Sequence, residues 1–131
     1  SLSRKAPEIS QRAVFIHLDS RSQKHRLDVF FYHYPGRKSG QQLAETMKKT
    51  FHDQYAIHQP NRGFSGTVSG RKLMVLKNAR PVGIFAELGN IQNPFDQKRF
   101  VLTSNREALA KWMCTGFIKD YEDYQKSVKK K

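Results

Sequence analysis

One cysteine, one tryptophan and five prolines are all that 131 residues provide of these types. A single thiol, Cys114, closes no intrachain disulfide and builds no cysteine zinc cluster. It falls within a predicted amphipathic helix beside Trp112 and Met113, where a buried, inert thiol is expected. Long apolar runs are missing as well, and the mean hydropathy of −0.72 excludes a transmembrane helix. The chain opens Ser1-Leu2-Ser3-Arg4-Lys5, without an apolar leader or a methionine, so a fragment of a longer protein is expected. Acidic residues are scarce, 11 against 24 Lys and Arg, for a net charge of +13. Such a field favours a polyanionic partner: nucleic acid, an anionic membrane surface or an acidic cell-wall polymer. A basic surface kept for solubility is the plainer alternative.

Familiar catalytic signatures are also lacking. Residues 60–70 (P-N-R-G-F-S-G-T-V-S-G) hold three glycines but match no phosphate-cradling pattern. Ser65 and Ser69 lack a G-x-S-x-G elbow, and no histidine lies near Cys114 in sequence, so nucleophilic catalysis has little support.

What is present reads as one α/β domain over residues 1–131, ending in a basic tail at 126–131. Pro7 can start a short helix from Glu8 to Arg12. Residues 13–18 (A-V-F-I-H-L) are continuously apolar, as in a strand covered on both faces. Residues 27–34 (L-D-V-F-F-Y-H-Y) form a second strand, stopped by Pro35-Gly36. From Ser39, Leu43, Met47, Phe51 and Tyr55 recur every fourth residue, predicting an amphipathic helix of about four turns. Residues 72–76 (K-L-M-V-L) and 82–88 (V-G-I-F-A-E-L) read as two more strands, and Gly89 to Asp96 as a turn. Ser104 and Glu107 form a capping box. It opens a last helix whose stripe is Leu109, Trp112, Met113, Gly116, Phe117, Tyr121 and Tyr124. The order strand–strand–helix–strand–strand–helix gives a mixed, mostly parallel central sheet flanked by helices.

Two polar residues stand at the ends of buried strands, where α/β proteins gather their functional groups. His17 and Glu87 are candidates for a metal ligand and a general base. Each has a plainer reading. His17 can be a hydrogen-bonded core histidine, and Glu87 an acceptor for backbone N–H groups at Gly89 and Asn90. His33 shares the strand phase of Phe31, but Tyr34 and Pro35 indicate an exposed strand end. Phe31, Tyr32 and Tyr34, flanked by Arg21, Lys24, Arg26 and Arg37, faintly suggest an aromatic surface for nucleic acid, without the RNA-binding consensus.

The ordered motifs are similar to those of zinc-dependent N-acetylmuramoyl-L-alanine amidases. F-I-H-L-D-S at 15–20 resembles their S-I-H-A-[DN] strand, and L-D-V-F-F-Y at 27–32 their G-x-x-V-Y-Y. Ser39 with Leu43-Ala44 resembles S-x-x-L-A, and L-M-V-L-K-N at 73–78 resembles L-x-V-L-R-x. P-V-G-I-F-A-E-L-G-N-I-Q-N-P-F-D at 81–96 is similar to P-A-V-L-V-E-x-G-F-L-S-N-P-x-D. The last helix resembles L-A-x-x-I-x-x-G-I. The likeness covers nearly the whole chain but only the carboxyl-terminal half of the catalytic domain. The family's D-P-G-H-G-G strand and its glutamate ligand have no counterpart here. Leu18 and Asn90 replace the usual alanine and phenylalanine.

The resemblance implies that His17 is one of three zinc ligands and that Glu87 activates water. Asp19 and Asn93 are candidates for groups that support the site or hold its turn, and for Asn93 the plainer reading is stronger, because Asn-Pro commonly initiates a turn. The reaction implied is hydrolysis of the amide between N-acetylmuramic acid and L-alanine in peptidoglycan, in the cell envelope, periplasmic or secreted. A non-catalytic amidase-like wall-binding or interaction domain is the first alternative. A basic nucleic-acid-binding module is the second.

Overall fold

The computed structural model describes residues 11–129. Along them run β1 (Arg12–Asp19), β2 (Phe30–His33), α1 (Lys38–His58), β3 (Val68–Gly70), α2 (Met74–Asn78), β4 (Val82–Asn90), α3 (Pro94–Val101) and α4 (Thr103–Lys129). The strands form one sheet in the order β1-β4-β2-β3. β1 lies parallel to β4 and β2 parallel to β3, while β2 and β4 are antiparallel. The expected mixed, mostly parallel sheet with flanking helices is therefore present.

The core lies between one sheet face and two helices. Leu43, Met47 and Phe51 of α1 are fully buried against Phe31 and Ile84. Trp112 and Met113 of α4 close the layer. Phe51 meets Phe31 and Trp112 edge-on, with centroids 5.3 and 5.5 Å apart. Each such side chain withdrawn from water contributes roughly 1.5–3 kcal/mol. A Cβ at Gly116 would run into the Met47 sulfur, so α4 needs glycine where it crosses α1.

Several expectations give way. Residues 72–76 are not a strand: Leu73 precedes the short helix α2, whose Met74 and Val75 are exposed and only Leu76 buried. A five-residue apolar run has too little periodicity to separate the two states. The third strand lies instead at Val68–Gly70, inside the expected loop, where it pairs with Phe31–His33. Only residues 30–33 of the expected 27–34 strand are in the ladder, although Leu27 and Val29 are buried. His33 is buried at 8% exposure, not exposed, because β3 pairs beside it at Gly70 and Gly40 of α1 packs against it.

Helix α1 is 21 residues long, longer than the apolar repeat indicates. The expected turn at 89–96 contains the end of β4 and the start of α3, a helix absent from the sequence reading. Helix α4 begins one residue before Ser104. Cys114 is exposed, because Trp112 and Met113 take the inward positions of that turn. Tyr121 and Tyr124 are exposed too. The buried stripe ends at Asp120, which receives the Arg12 guanidinium at 2.8 Å. The expected helix at 8–12 falls largely outside the described residues, and Arg12 itself begins β1.

Candidate functional site

Parallel pairing of β1 with β4 puts Phe15 opposite Phe85, Ile16 opposite Ala86 and His17 opposite Glu87. Alternation then divides the residues between faces. Ile84, Ala86 and Leu88 enter the core, while Phe85 and Glu87 share the other face with His17. The imidazole lies 5.3 Å from the Phe85 ring, and its Nδ1 is 3.1 and 3.0 Å from the two carboxylate oxygens of Glu87. The two candidates named from sequence thus meet at one rim.

Their environments differ. The His17 side chain is 55% exposed and that of Glu87 only 8%. Burial pushes the Glu87 carboxyl above its ordinary value, and the hydrogen bond and charge of His17 oppose the shift without cancelling it. Among the described residues Glu87 accepts hydrogen bonds from His17 alone. The alternative role for Glu87, accepting the turn amides, does not hold: the Asn90 N–H donates to Asp96 Oδ2 at 3.0 Å.

Beyond His17 the register slips, so that Asp19 pairs with Asn90. Such an irregularity turns a strand's side chains to new directions. Asp19 accepts from Arg21 Nε at 2.6 Å and from the Ser20 N–H at 2.8 Å. Burial acts to raise its carboxyl, but these two donors outweigh it and hold it below the usual range.

The loop after β1 is fastened by residues from the β4–α3 turn, most of which the sequence reading passed over. Asn90, fully buried, donates to the carbonyls of Ser22 and His25 and accepts from the N–H groups of Arg21 and Gln92. All four of its hydrogen-bonding positions are filled. Asn93 caps α3 by accepting from the Asp96 N–H, and donates to the Gln23 carbonyl at 2.7 Å. That is the turn-holding role expected of it. Asp96 Oδ2 accepts from the N–H groups of Leu27 and Asn90, and Arg99 donates to the carbonyls of Leu27 and Leu88. The N-P-x-D spacing was the available signal, being a capping pattern around Pro at a first helical position.

A catalytic zinc needs three protein ligands and an open position. Among the described residues no three His, Cys, Asp or Glu side chains gather to hold a metal, so these residues alone do not fit a zinc site. Of the aromatic residues suggested for nucleic acid, Phe31 is fully buried and unavailable for stacking, while Tyr32 and Tyr34 are half-buried, with the Arg71 and Arg37 guanidinium groups 5.1 and 4.6 Å from their rings.

A family model described as N-acetylmuramoyl-L-alanine amidase matches residues 9–119. None of the curated proteins searched matches the chain. Among solved structures, the CwlD amidase from Clostridioides difficile, in complex with the GerS lipoprotein, superposes with a TM-score of 0.70 at 18% identity. That match covers 92% of this chain and 61% of the other. The amidase AmiC2 of Nostoc punctiforme gives 0.68 at 21% identity, over 91% of this chain and 63% of the other. The catalytic domain of CwlV from Bacillus (Paenibacillus) polymyxa gives 0.67 at 19%, over 92% and 63%. The chain therefore spans about three fifths of the length of these structures. With the family model covering most of its length, the chain belongs to the N-acetylmuramoyl-L-alanine amidase family.

Proposed function

We propose that this chain forms part of an enzyme that hydrolyses the amide between N-acetylmuramic acid and L-alanine in peptidoglycan, in the cell envelope. One observation carries the reading: a buried carboxylate, Glu87, faces an exposed imidazole, His17, across paired strands near their carboxyl ends. Burial that raises the Glu87 carboxyl makes it a better proton acceptor than an exposed glutamate. In this role Glu87 takes the proton of the attacking water and delivers it to the leaving amine of L-alanine. The carbon–oxygen bond forms first, giving a tetrahedral centre, and the carbon–nitrogen bond breaks as the leaving amine takes the proton. Asp19 and Arg21, paired beside the rim, fix the charge around the carboxylate.

Family membership adds zinc to the proposal. Such a metal would supply Lewis-acid activation of the scissile carbonyl and of the attacking water. His17 would supply one imidazole, and the remaining ligands would come from outside the described residues. The His17–Glu87 contact also favours a second reading of Glu87. A carboxylate on the other ring nitrogen of a metal-bound histidine orients that ligand.

The test uses the complete protein, purified muropeptides and metal analysis of wild type, Glu87→Gln and His17→Ala. The general-base reading expects Glu87→Gln to retain zinc and lose turnover by about 10²-fold or more. The orienting reading expects zinc retention itself to weaken. His17→Ala loses both zinc and activity. Wild-type turnover by Glu87→Gln overturns both readings of Glu87.

A further inference from the structure

Residues 20–26, which follow β1, carry Arg21, Lys24 and Arg26 and no acidic side chain. The backbone of this basic loop is nevertheless fastened along its length. The Arg21 N–H donates to Asn90 Oδ1 at 2.9 Å, and Asn90 Nδ2 donates to the Ser22 and His25 carbonyls, each at 2.8 Å. Asn93 Nδ2 holds the Gln23 carbonyl at 2.7 Å, and the His25 N–H donates to the Ser22 carbonyl at 2.9 Å. Both asparagines are buried, so the anchors belong to the packed turn after β4. A cationic loop is thereby held in a fixed conformation beside the rim of His17 and Glu87.

Arg21 is the cation of this loop nearest to that rim along the chain. It follows His17 by four positions, so the two Cα atoms lie within about 14 Å of each other. Its Nε donates to Asp19 Oδ2 at 2.6 Å, and its side chain remains 43% exposed. Neither Nη1 nor Nη2 has a hydrogen-bond partner among the described residues. Asp19 therefore grips the guanidinium from its side and leaves the outer fork of N–H groups open. That fork matches the two oxygens of a carboxylate. Arg26 instead lies over the Phe95 ring at 3.5 Å.

The chemistry of the proposed substrate says what the fork can meet. The scissile amide uses up the carboxyl of N-acetylmuramic acid, so the sugar brings no anion to the rim. Free carboxylates belong to the peptide that begins at L-alanine. An extended peptide advances about 3.5 Å per residue, which puts its first few residues within reach of Arg21. We propose, resting on the amidase reading above, that Arg21 is a specificity residue that binds a carboxylate of the substrate peptide, with Asp19 as its positioning residue.

The complete protein is assayed on matched N-acetylmuramoyl peptides, all amidated at the carboxyl end. The members of a pair carry glutamate or glutamine at the first or second position after L-alanine. In at least one pair the glutamate peptide is expected to have a kcat/KM about tenfold or more above its counterpart, the difference lying in KM. Arg21→Gln should abolish that preference. Any effect of Arg21 on the charge of Glu87 lowers kcat for both peptides alike and leaves their ratio untouched. Arg21→Lys keeps the charge without the fork, and Asp19→Asn loosens the fork; each should lose part of the preference. Arg80→Gln removes an equal, exposed charge ahead of β4, at the opposite end of that strand from Glu87, and should keep the preference in full. Equal turnover of both members of every pair, a preference that survives Arg21→Gln, or an equal loss in Arg80→Gln overturns the assignment while the amidase reading stands. A wild type that hydrolyses none of the peptides overturns the amidase reading and this inference with it.

Discussion

The Asp96 carboxylate reaches back six residues along the chain to accept the Asn90 N–H, and the same oxygen accepts the Leu27 N–H at 2.8 Å. Asp96 thereby joins the end of β4 to the entry of β2 and frees Glu87 from serving the turn. Replacing it with alanine strands both amides and leaves Arg99 with less countercharge. We expect Asp96→Ala to cost about 3–5 kcal/mol, a large share of the stability of a domain this size. Asp53→Ala breaks only exposed contacts to Lys49 and His52 and should stay within about 0.5 kcal/mol. Urea unfolding of both variants measures the contrast, and equal midpoints would refute the bridging role.

Glu87 gives a pH signature. Its folded value lies above the ordinary 4.5 because of burial, so between the unfolded and folded values the native state binds more protons. Stability from this group is fully present below the unfolded value and is lost as pH rises through the folded one. Glu87→Gln, which never ionises, should therefore be more stable than wild type at neutral pH, with the advantage disappearing in acid. The gain in stability would accompany loss of function, the usual trade at a catalytic position. Carboxyl NMR adds a second check: His17→Ala removes groups that lower the Glu87 value and should move its midpoint further up.

The strands and helices with long, regular patterning were legible in the sequence. α1 announces itself through Leu43, Met47, Phe51 and Tyr55, all buried in the structure. β4 reads through its apolar run, and β1 through its motif. The His17–Glu87 meeting was legible as well, because two polar residues closing apolar strands converge once those strands pair in register. Short elements were not. Val68–Gly70 becomes a strand through its partner β2, and Met74–Asn78 a helix through the single buried Leu76; neither fact is local. The network of Asn90, Asp96 and Arg99 was hidden for a related reason. Its partners Ser22, His25 and Leu27 lie more than sixty residues away along the chain.

Gly89 tests how tightly that turn is packed. Its φ is +154°, and a Cβ there would lie 2.8 Å from Arg99 Nη1 and 3.2 Å from the Phe100 ring. Arg99 cannot simply swing away, since its Nη1 donates to the Leu27 and Leu88 carbonyls at 3.1 and 2.6 Å. Gly89→Ala is expected to cost about 3 kcal/mol or more, against roughly 1–2 at Gly36, where a Cβ meets nothing and only φ is unfavourable. Thermal unfolding of the two variants decides the matter. Similar losses at both positions would mean that backbone conformation, not the arginine, sets the requirement for glycine.

Arg12 and Asp120 join the start of the edge strand β1 to α4 over 108 residues of sequence. Their side chains are 15% and 8% exposed, and the Arg12 guanidinium also lies 5.7 Å from the Tyr124 ring. Removing one partner leaves a poorly hydrated charge, so Arg12→Met and Asp120→Asn should each destabilise by about 2 kcal/mol. Replacing both removes the orphaned charge along with the pair. The double variant is therefore expected to lose less than the sum of the singles, with a coupling of about 1 kcal/mol or more. Strictly additive losses in a double-mutant cycle would show that the two groups act separately. In that case β1 would be held through its pairing with β4 and its apolar contacts rather than through this ion pair.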